Sequence, residues 1–200
     1  MSQSDKLFYG LKRLIFREVL PGDRLKLIAQ SNHTKSGGGA RDLRFSNMHK
    51  MLPMLEELFP RVEQRIRRRG GKKRPTDVRI ADLHWVDRAG QERSEEVALE
   101  FPTDQRGLEP RIARVHQYEC LADVPPESEG QAVIILAQDA DDRVWPFIAS
   151  EASLRGDTAQ GEEWDRDIAN FILEALETKN RKAHASIGYI DYVRKERFHN

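Results

Sequence analysis

The sequence predicts an α+β fold, with a mainly β core and helices at three places along the chain. Short segments that alternate apolar and polar residues occur at regular intervals in the middle of the sequence, separated by turn-forming residues. Apolar residues at helical spacing occur near the start, shortly after the first predicted hairpin and near the end. The 200 residues, 38% of them hydrophobic, suffice for one large domain with a substantial core. A β barrel or sandwich with flanking helices is the expected architecture.

Three segments carry the helical pattern. Residues 4–18 place leucines and an isoleucine on one stripe, and Pro21-Gly22-Asp23 is expected to end that helix. Residues 48–59 form the second stripe, which Pro60 ends or kinks, with one or two further helical turns expected over 61–69. The third helix begins after Glu162.

Three pairs of strands are predicted between and after the first two helices. In each pair the two strands are joined by a turn or loop, as in a β-hairpin. The pairs are 24–30 with 41–45, 78–86 with 95–101, and 132–137 with 144–148. The expected organisation is an N-terminal helical segment (1–23), a β core (24–150) and a C-terminal helical extension (151–200) that packs on the same domain, with the tail 188–200 as a last strand or a docking segment.

The charge is distributed unevenly along the chain although its formal total is zero. Residues 1–80 hold 19 Lys and Arg against 8 Asp and Glu, a balance of +11, and residues 81–200 hold 14 against 25, a balance of −11. The basic excess is densest over 65–74, which contains seven basic residues. A concentrated basic region is typical of a protein that binds a polyanion.

Two polar, Arg-bearing segments follow predicted strands and are the candidate binding elements. The first, residues 31–45, contains three consecutive glycines, which allow a close approach of the backbone to a partner. The second, residues 102–116, supplies arginine forks that can bind guanine edges or phosphates in pairs, and a glutamate that can orient a guanidinium or accept from a cytosine amino group. The basic run is expected to contact phosphates. The candidate DNA-binding residues are Asn32, His33, Lys35, Ser36, Arg41, Arg44, Gln105, Arg106, Glu109, Arg111, Arg114, Arg68, Arg69, Lys72 and Lys73.

The order of these elements resembles the N-terminal effector-binding domain of EcoRII-type restriction endonucleases, a DNA-binding pseudobarrel related to plant B-three domains. The similarity covers roughly residues 24–150 and rests on three motifs, which are LKLIAQSNHTKSGGGARDLRF, MLEELFP and EEVALEFPTDQRGLEPRIARVHQY. The resemblance implies a pseudobarrel core from which two arms grip duplex DNA and contact bases in the major groove. The first arm holds Asn32 to Arg41 and the second holds Gln105 to Arg114.

The resemblance also implies a setting in prokaryotic restriction or defence, in which this chain is the recognition component of a larger assembly and a nuclease is a possible partner. Full-length relatives carry a separate nuclease domain for which this chain is not expected to have room, so an intrinsic catalytic activity is uncertain and binding is the expected role. No cofactor, catalytic residue, metal site or small-molecule substrate is predicted. The single Cys120, the absence of a long apolar run and a start without an apolar leader favour the cytoplasm and no membrane association.

Two other functions remain open at this point. One is a metal-dependent nuclease with a degenerate Asp…Glu-x-Lys site, in which Asp77, Asp82 or Asp87 acts with Glu100. The lysine of that motif is missing, because Pro102 occupies the position two after Glu100. The other is a protein-binding scaffold whose basic and acidic halves pair with each other or with a partner.

Overall fold

A computed structural model describes most of the chain. The described residues are 10–27, 42–46, 48–69, 72–101, 109–157, 164–178 and 185–200. Within these segments ten strands form one curled, half-barrel sheet, and few helices accompany it. The architecture is therefore mostly β.

The elements are named here in chain order. The strands are β1 (Arg13–Val19), β2 (Leu43–Arg44), β3 (Arg61–Arg69), β4 (Lys72–Val86), β5 (Glu92–Glu100), β6 (Arg111–Ile112), β7 (Ala132–Gln138), β8 (Val144–Ser150), β9 (Ile187–Asp191) and β10 (Glu196–His199). The α-helices are α1 (Pro21–Leu27), α2 (Met48–Leu58), α3 (Glu151–Arg155) and α4 (Arg166–Glu177). Short 3₁₀ turns lie between β6 and β7.

The sheet order is β10-β9-β1-β7-β8-β4-β5-β6-β2, and β3 pairs with β4 outside this path. Neighbouring strands are antiparallel, except that β4 and β8 run parallel and share one register pair, Leu83↔Val144. Of the C-terminal strands, β9 lies beside β1 and β10 lies beside β9. Residues from the predicted N-terminal segment, β core and C-terminal extension thus share one sheet.

Both faces of the sheet centre are buried. One core lies between one face of the sheet and α2, and it includes Ile15 and Ile134 from the central strands. The other lies between the opposite face and α4, and it includes Phe16 and Ile135. Successive residues of a strand point to opposite faces, so β1 and β7 supply alternate side chains to the two cores. Every residue of both strands is buried as a result.

The helix predicted over 4–18 is wrong for its second half, where the structure has strand β1. The leucine and isoleucine spacing there also suits a strand that is buried on both faces, because such a strand shows no polar alternation. The strand forms because β1 pairs with β7 along its whole length and with β9 over its first five residues. Residues 1–9 lie outside the described part of the chain.

The hairpin predicted between 24–30 and 41–45 is also wrong. Residues up to Leu27 belong to helix α1, which starts at Pro21, a position in the first helical turn where proline needs no amide hydrogen. Pro21 therefore begins a helix and does not end one. Strand β2 pairs with β6 instead. The helical turns expected over 61–69 are replaced by strand β3, which pairs with β4 along its full length.

The other predicted elements coincide with observed ones. Helix α2 ends at Leu58, two residues before Pro60, and buries Met51, Leu55 and Leu58 in the first core. The predicted hairpins in the middle of the chain correspond to β4–β5 and β7–β8. The third predicted helix corresponds to α4, whose N-cap Asp165 accepts hydrogen bonds from the backbone of the first turn.

A buried ion pair fastens helix α1 and strand β2 to the sheet. The guanidinium of Arg17, on β1, lies 2.8 Å from the Asp23 carboxylate of α1, and both side chains are buried. The same guanidinium donates to the backbone oxygens of Arg44 and Glu18. Burial disfavours the ionised form of Asp23, but Arg17 and Lys26 outweigh it and lower the pKa of this carboxyl.

We expect Arg17→Ala to destabilise the protein by about 3–5 kcal/mol, because it leaves Asp23 buried without its main counter-charge. Urea unfolding followed by circular dichroism measures this change. Lys12→Ala is the matched control, since the Lys12–Asp142 pair is exposed and is worth about 0–1 kcal/mol. Equal losses in the two variants would contradict the role given to Arg17.

Candidate nucleic-acid interface

The candidate residues are divided between described and undescribed parts of the chain. Asn32, His33, Lys35, Ser36, Arg41, Gln105 and Arg106 lie outside the described residues. Arg44, Glu109, Arg111 and Arg114 are described, and Arg68, Arg69, Lys72 and Lys73 lie on strands β3 and β4. The geometry below therefore concerns the anchoring residues of the two predicted arms and the basic run.

The ends of the two arms meet where strands β5, β6 and β2 lie side by side. The ladder pairs Glu100 with Arg111 and Arg111 with Arg44. The Arg111 guanidinium lies 2.8 Å from the Asp42 carboxylate and 3.1 Å from that of Glu100. We call Asp42, Arg44, Glu100, Glu109 and Arg111 the arginine junction.

The arginine junction contains residues that flank two of the undescribed segments, 28–41 and 102–108, which belong to the two predicted arms. Asp42 directly follows the first segment. Glu100 is separated from the second segment by Phe101 alone, and Glu109 directly follows that segment. Before the first segment, the Lys26 ammonium of α1 lies 3.3 Å from the backbone oxygen of Asp42. Both predicted arms therefore begin and end within one small region of the surface.

The charge balance at the junction limits what Arg111 can do. Its side chain is 32% exposed, and it serves two carboxylates that are almost fully buried. Burial, together with the neighbouring Glu100, raises the pKa of Asp42 although Arg111 opposes the shift. Because one guanidinium faces two acids, Arg111 is engaged in holding the junction together, and its donors are less available to a ligand than those of an exposed arginine.

Arg44 and Arg114 are better placed to contact a ligand. Arg44 is partly exposed and lies 3.9 Å from the Glu109 carboxylate, which links the first arm to the second. Arg114 is exposed and has a left-handed backbone, with φ of 56°. The backbone amide of Arg114 also lowers the pKa of Asp42, against the effect of burial, which places Arg114 beside the junction. Glu109 therefore lies near the guanidinium of Arg44, on β2, at a distance too long for a hydrogen bond.

A two-stranded ribbon extends from the same end of the sheet. Strand β4 has 15 residues and pairs with β5 only from Val78 onward, where Val78 is opposite Glu100. Before that point β4 pairs with β3 alone. We call the stretches 64–69 and 72–77 the basic ribbon. Six residues per strand correspond to about 20 Å of strand length at 3.3 Å per residue. The ribbon does not project straight away from the sheet, because Arg65 contacts Glu96 in the middle of β5.

The charge of the ribbon changes along its length. Near the sheet, Arg61 and Arg65 form ion pairs with Asp82, Glu63 and Glu96 at distances of 2.5 to 3.3 Å. Beyond Glu63 the sequence has no acidic residue before Asp77, while seven Lys and Arg fall in that interval. The positive charge is therefore compensated at the base of the ribbon and accumulates toward its tip.

The ribbon and the arginine junction lie at the same end of the sheet. Val78, where the ribbon leaves the sheet, is the ladder partner of Glu100, and Glu100 is the partner of Arg111. Two strand spacings, each about 4.8 Å, thus separate the root of the ribbon from Arg111. The root of the basic ribbon therefore lies close to the described residues that flank the segments 28–41 and 102–108.

The carboxylates of the alternative nuclease site do not come together. The ladder partner of Glu100 is Val78. Asp82 lies four residues from Val78, about 13 Å along strand β4, and Asp87 is further away. Asp77 neighbours that partner but points to the opposite face of the sheet. Glu100 itself binds Arg111. Within the described residues no three His, Cys, Asp or Glu side chains form a group that could hold a metal ion.

Cys120 behaves as a core residue. It packs against the first core, and burial raises the pKa of its thiol to about 12. A thiol with that pKa is almost entirely protonated at neutral pH and is a poor nucleophile. In the part of the chain that the structure describes, no helix is long and apolar enough to cross a membrane.

Comparison with known proteins identifies no relative of this chain. No protein-family model, curated protein or solved structure matches it. The function must therefore be argued from the geometry of the chain itself.

The ribbon is the feature that sequence reasoning missed. The sequence shows that these residues are basic, but its pattern predicts helical turns over 61–69 and a following strand that begins at Val78. The signal was present, since Gly70-Gly71 separates two runs by the two residues that are typical of a tight hairpin. The charged side chains obscured the strand pattern, because arginine and lysine are uncommon in strands that are partly buried.

We expect Arg111→Ala to destabilise the protein more at pH 7.5 than at pH 4.5. Without the guanidinium, burial and Glu100 raise the pKa of Asp42 further, and a carboxyl with a raised folded-state pKa loses stability as the pH rises through that pKa. The loss at pH 7.5 is about 1–3 kcal/mol, the usual cost of leaving a buried charged acceptor without its partner. Urea titrations of variant and wild type at both pH values measure the difference.

Arg88→Ala is the matched control for this experiment. Arg88 and its partner Asp123 are both highly exposed, so the same deletion should cost less than about 1 kcal/mol at either pH. An Arg111→Ala loss that does not change with pH would show that the junction carboxylates are not coupled to this guanidinium.

Proposed function

We propose that the protein binds duplex DNA with sequence preference. The observation that carries this proposal is the proximity of the arginine junction, where both predicted arms are anchored, to the root of the basic ribbon. A polyanion that runs across this end of the sheet meets positive charge from three separate parts of the chain, and counterion release from its phosphates favours binding. The acidic residues 81–200 limit this surface to one part of the molecule.

The three elements have different roles in this proposal. The basic ribbon, with Arg68, Arg69, Lys72 and Lys73, contacts phosphates and sets the position of the duplex. Arg44 and Arg114, together with the polar residues that the sequence assigns to the two arms, contact base edges in the major groove. Arg111 is a positioning residue that fixes the arms relative to each other through Asp42 and Glu100.

The wider setting belongs to the same proposal. The similarity to the EcoRII-type effector-binding domain, with a pseudobarrel gripping DNA between two arms, is supported by the three sequence motifs and agrees with a curled, mostly β sheet. From it we infer a cytoplasmic role in restriction or defence, as a recognition component that acts with a nuclease or another subunit. The separation of Asp82, Asp87 and Glu100 favours binding over intrinsic cleavage.

The test begins with selection from a random duplex pool, followed by affinity measurements on the selected and on a scrambled sequence. Arg114→Ala should weaken binding to the selected duplex by roughly 5- to 150-fold, the range for a bidentate base contact, and affect the scrambled duplex much less. Arg88→Ala is the control, because it removes another exposed arginine, which lies just after the far end of β4. Recovery of no consensus, with equal effects of Arg114→Ala on both duplexes, would contradict sequence preference.

The ribbon is tested through the salt dependence of binding. Lys72→Ala and Lys73→Ala should each weaken binding to both duplexes by a similar factor. Each should also make the slope of log K against log[salt] shallower by about 0.9, the value for one phosphate contact. An unchanged slope in both variants would exclude the ribbon from the interface. Salt-dependent self-association of the wild type without affinity for any duplex would favour the scaffold function instead.

A further inference from the structure

Two large β-branched side chains lie exposed on the hairpin formed by β3 and β4. Val62 is 61% exposed at the base of this hairpin, and Ile66 is 70% exposed within the basic ribbon. Ile66 lies directly opposite Pro75, which is also exposed. Residues that are directly opposite in an antiparallel pair project from the same face, so Ile66 and Pro75 form one apolar pair.

The position of this pair distinguishes it from an ordinary exposed hydrophobic residue. The next two ladder pairs toward the tip are Arg67↔Arg74 and Arg68↔Lys73. The pair is therefore adjacent to the most basic part of the ribbon. Isoleucine and proline have few accessible conformers, so little side-chain entropy is lost when they enter a confined space.

The charge of the ribbon indicates what kind of partner covers the pair. A second copy of this chain would bring six further positive charges from 67–69 and 72–74 against the first six, which opposes ribbon-to-ribbon contact. A polyanion is attracted by the same charges. Single-stranded nucleic acids are usually bound on aromatic platforms, and the sequence of the paired part of the hairpin, 61–80, contains no Phe, Tyr or Trp. The partner that fits is a duplex.

We propose that Ile66 and Pro75 act as a wedge that inserts at a base step in the minor groove and bends the DNA. This inference rests on the proposed function and adds a mechanism to it. The basic residues beside the wedge hold the phosphates on either side of the groove, and the apolar pair partly unstacks the step between them. Bending then brings the flanking duplex toward the arginine junction, where the two arms contact bases.

A wedge makes the binding affinity depend on the base step at which it inserts, although no side chain contacts the edges of those bases. Pyrimidine–purine steps such as TpA unstack more easily than other steps, and a nick removes part of the cost of bending. We therefore expect wild-type protein to bind a duplex with a central TpA step, or with a nick, about five- to tenfold more tightly than an intact GC-rich duplex. Arg and Lys contacts to phosphates alone give no such preference.

The experiment uses the full chain and duplexes labelled at both ends, so that energy transfer reports bending and titration reports affinity. Ile66→Ser should reduce the bend and abolish the preference for the TpA and nicked duplexes. Ile66→Leu, which keeps an apolar side chain, should retain both. Val62→Ser is the matched control, since Val62 is similarly exposed but lies four residues away beside the sheet, and it should behave as wild type. Pro75→Ser is the second variant and should act in the same direction as Ile66→Ser.

The outcomes separate this inference from the function on which it rests. If the wild type binds no duplex, the proposed function itself fails. If the wild type binds and bends DNA but Ile66→Ser and Pro75→Ser bend it as much as Val62→Ser does, the wedge is wrong and the function stands. Tighter binding of a single strand or of duplex RNA of the same sequence would likewise overturn the wedge.

Discussion

The unequal length of β4 and β5 determines the architecture of the candidate interface. Strand β4 has 15 residues and β5 has nine, so the first part of β4 has no partner within the path of the sheet. Backbone amide and carbonyl groups need hydrogen-bond partners, and β3 supplies them by pairing in antiparallel register. The ribbon is thus a consequence of this excess length, and its root is fixed at the residue opposite Glu100.

Two arginines then connect that end of the sheet to the rest of the fold. Arg17 joins β1, α1 and β2, and Arg111 joins β5, β6 and the residue before β2. A guanidinium suits this task because it presents five donors in a planar fork and stays charged when it is buried. Both arginines bind buried carboxylates and therefore serve the structure, so the more exposed arginines are the ones left for a ligand.

The sequence predicted a mainly β fold and several of its elements, but not the structural roles of the basic residues. Helices α2 and α4 and the hairpin β4–β5 were predictable because each has one buried face and therefore a clear period. The hairpin β7–β8 was predictable because turn-forming residues separate its two apolar runs. Strand β1 was not, because burial of both faces removes the alternation on which the prediction depends. The approximate position of the candidate site was predictable from charge. That Arg111 serves Asp42 and Glu100 was not, because Asp42 is 69 residues away in the sequence and both contacts depend on the pairing of β6 with β2 and β5.

The composition of the ribbon has a consequence for its internal motion. A two-stranded hairpin is marginal in water unless one of its faces is packed, and here Ile66 and Pro75 are exposed. Strands β1 and β7, by contrast, are buried on both faces. The free energy of local opening should therefore be far smaller in the ribbon than in the sheet, and its amide hydrogens should exchange with solvent first. The molecule thus combines a rigid platform with a hairpin that opens at a lower free-energy cost.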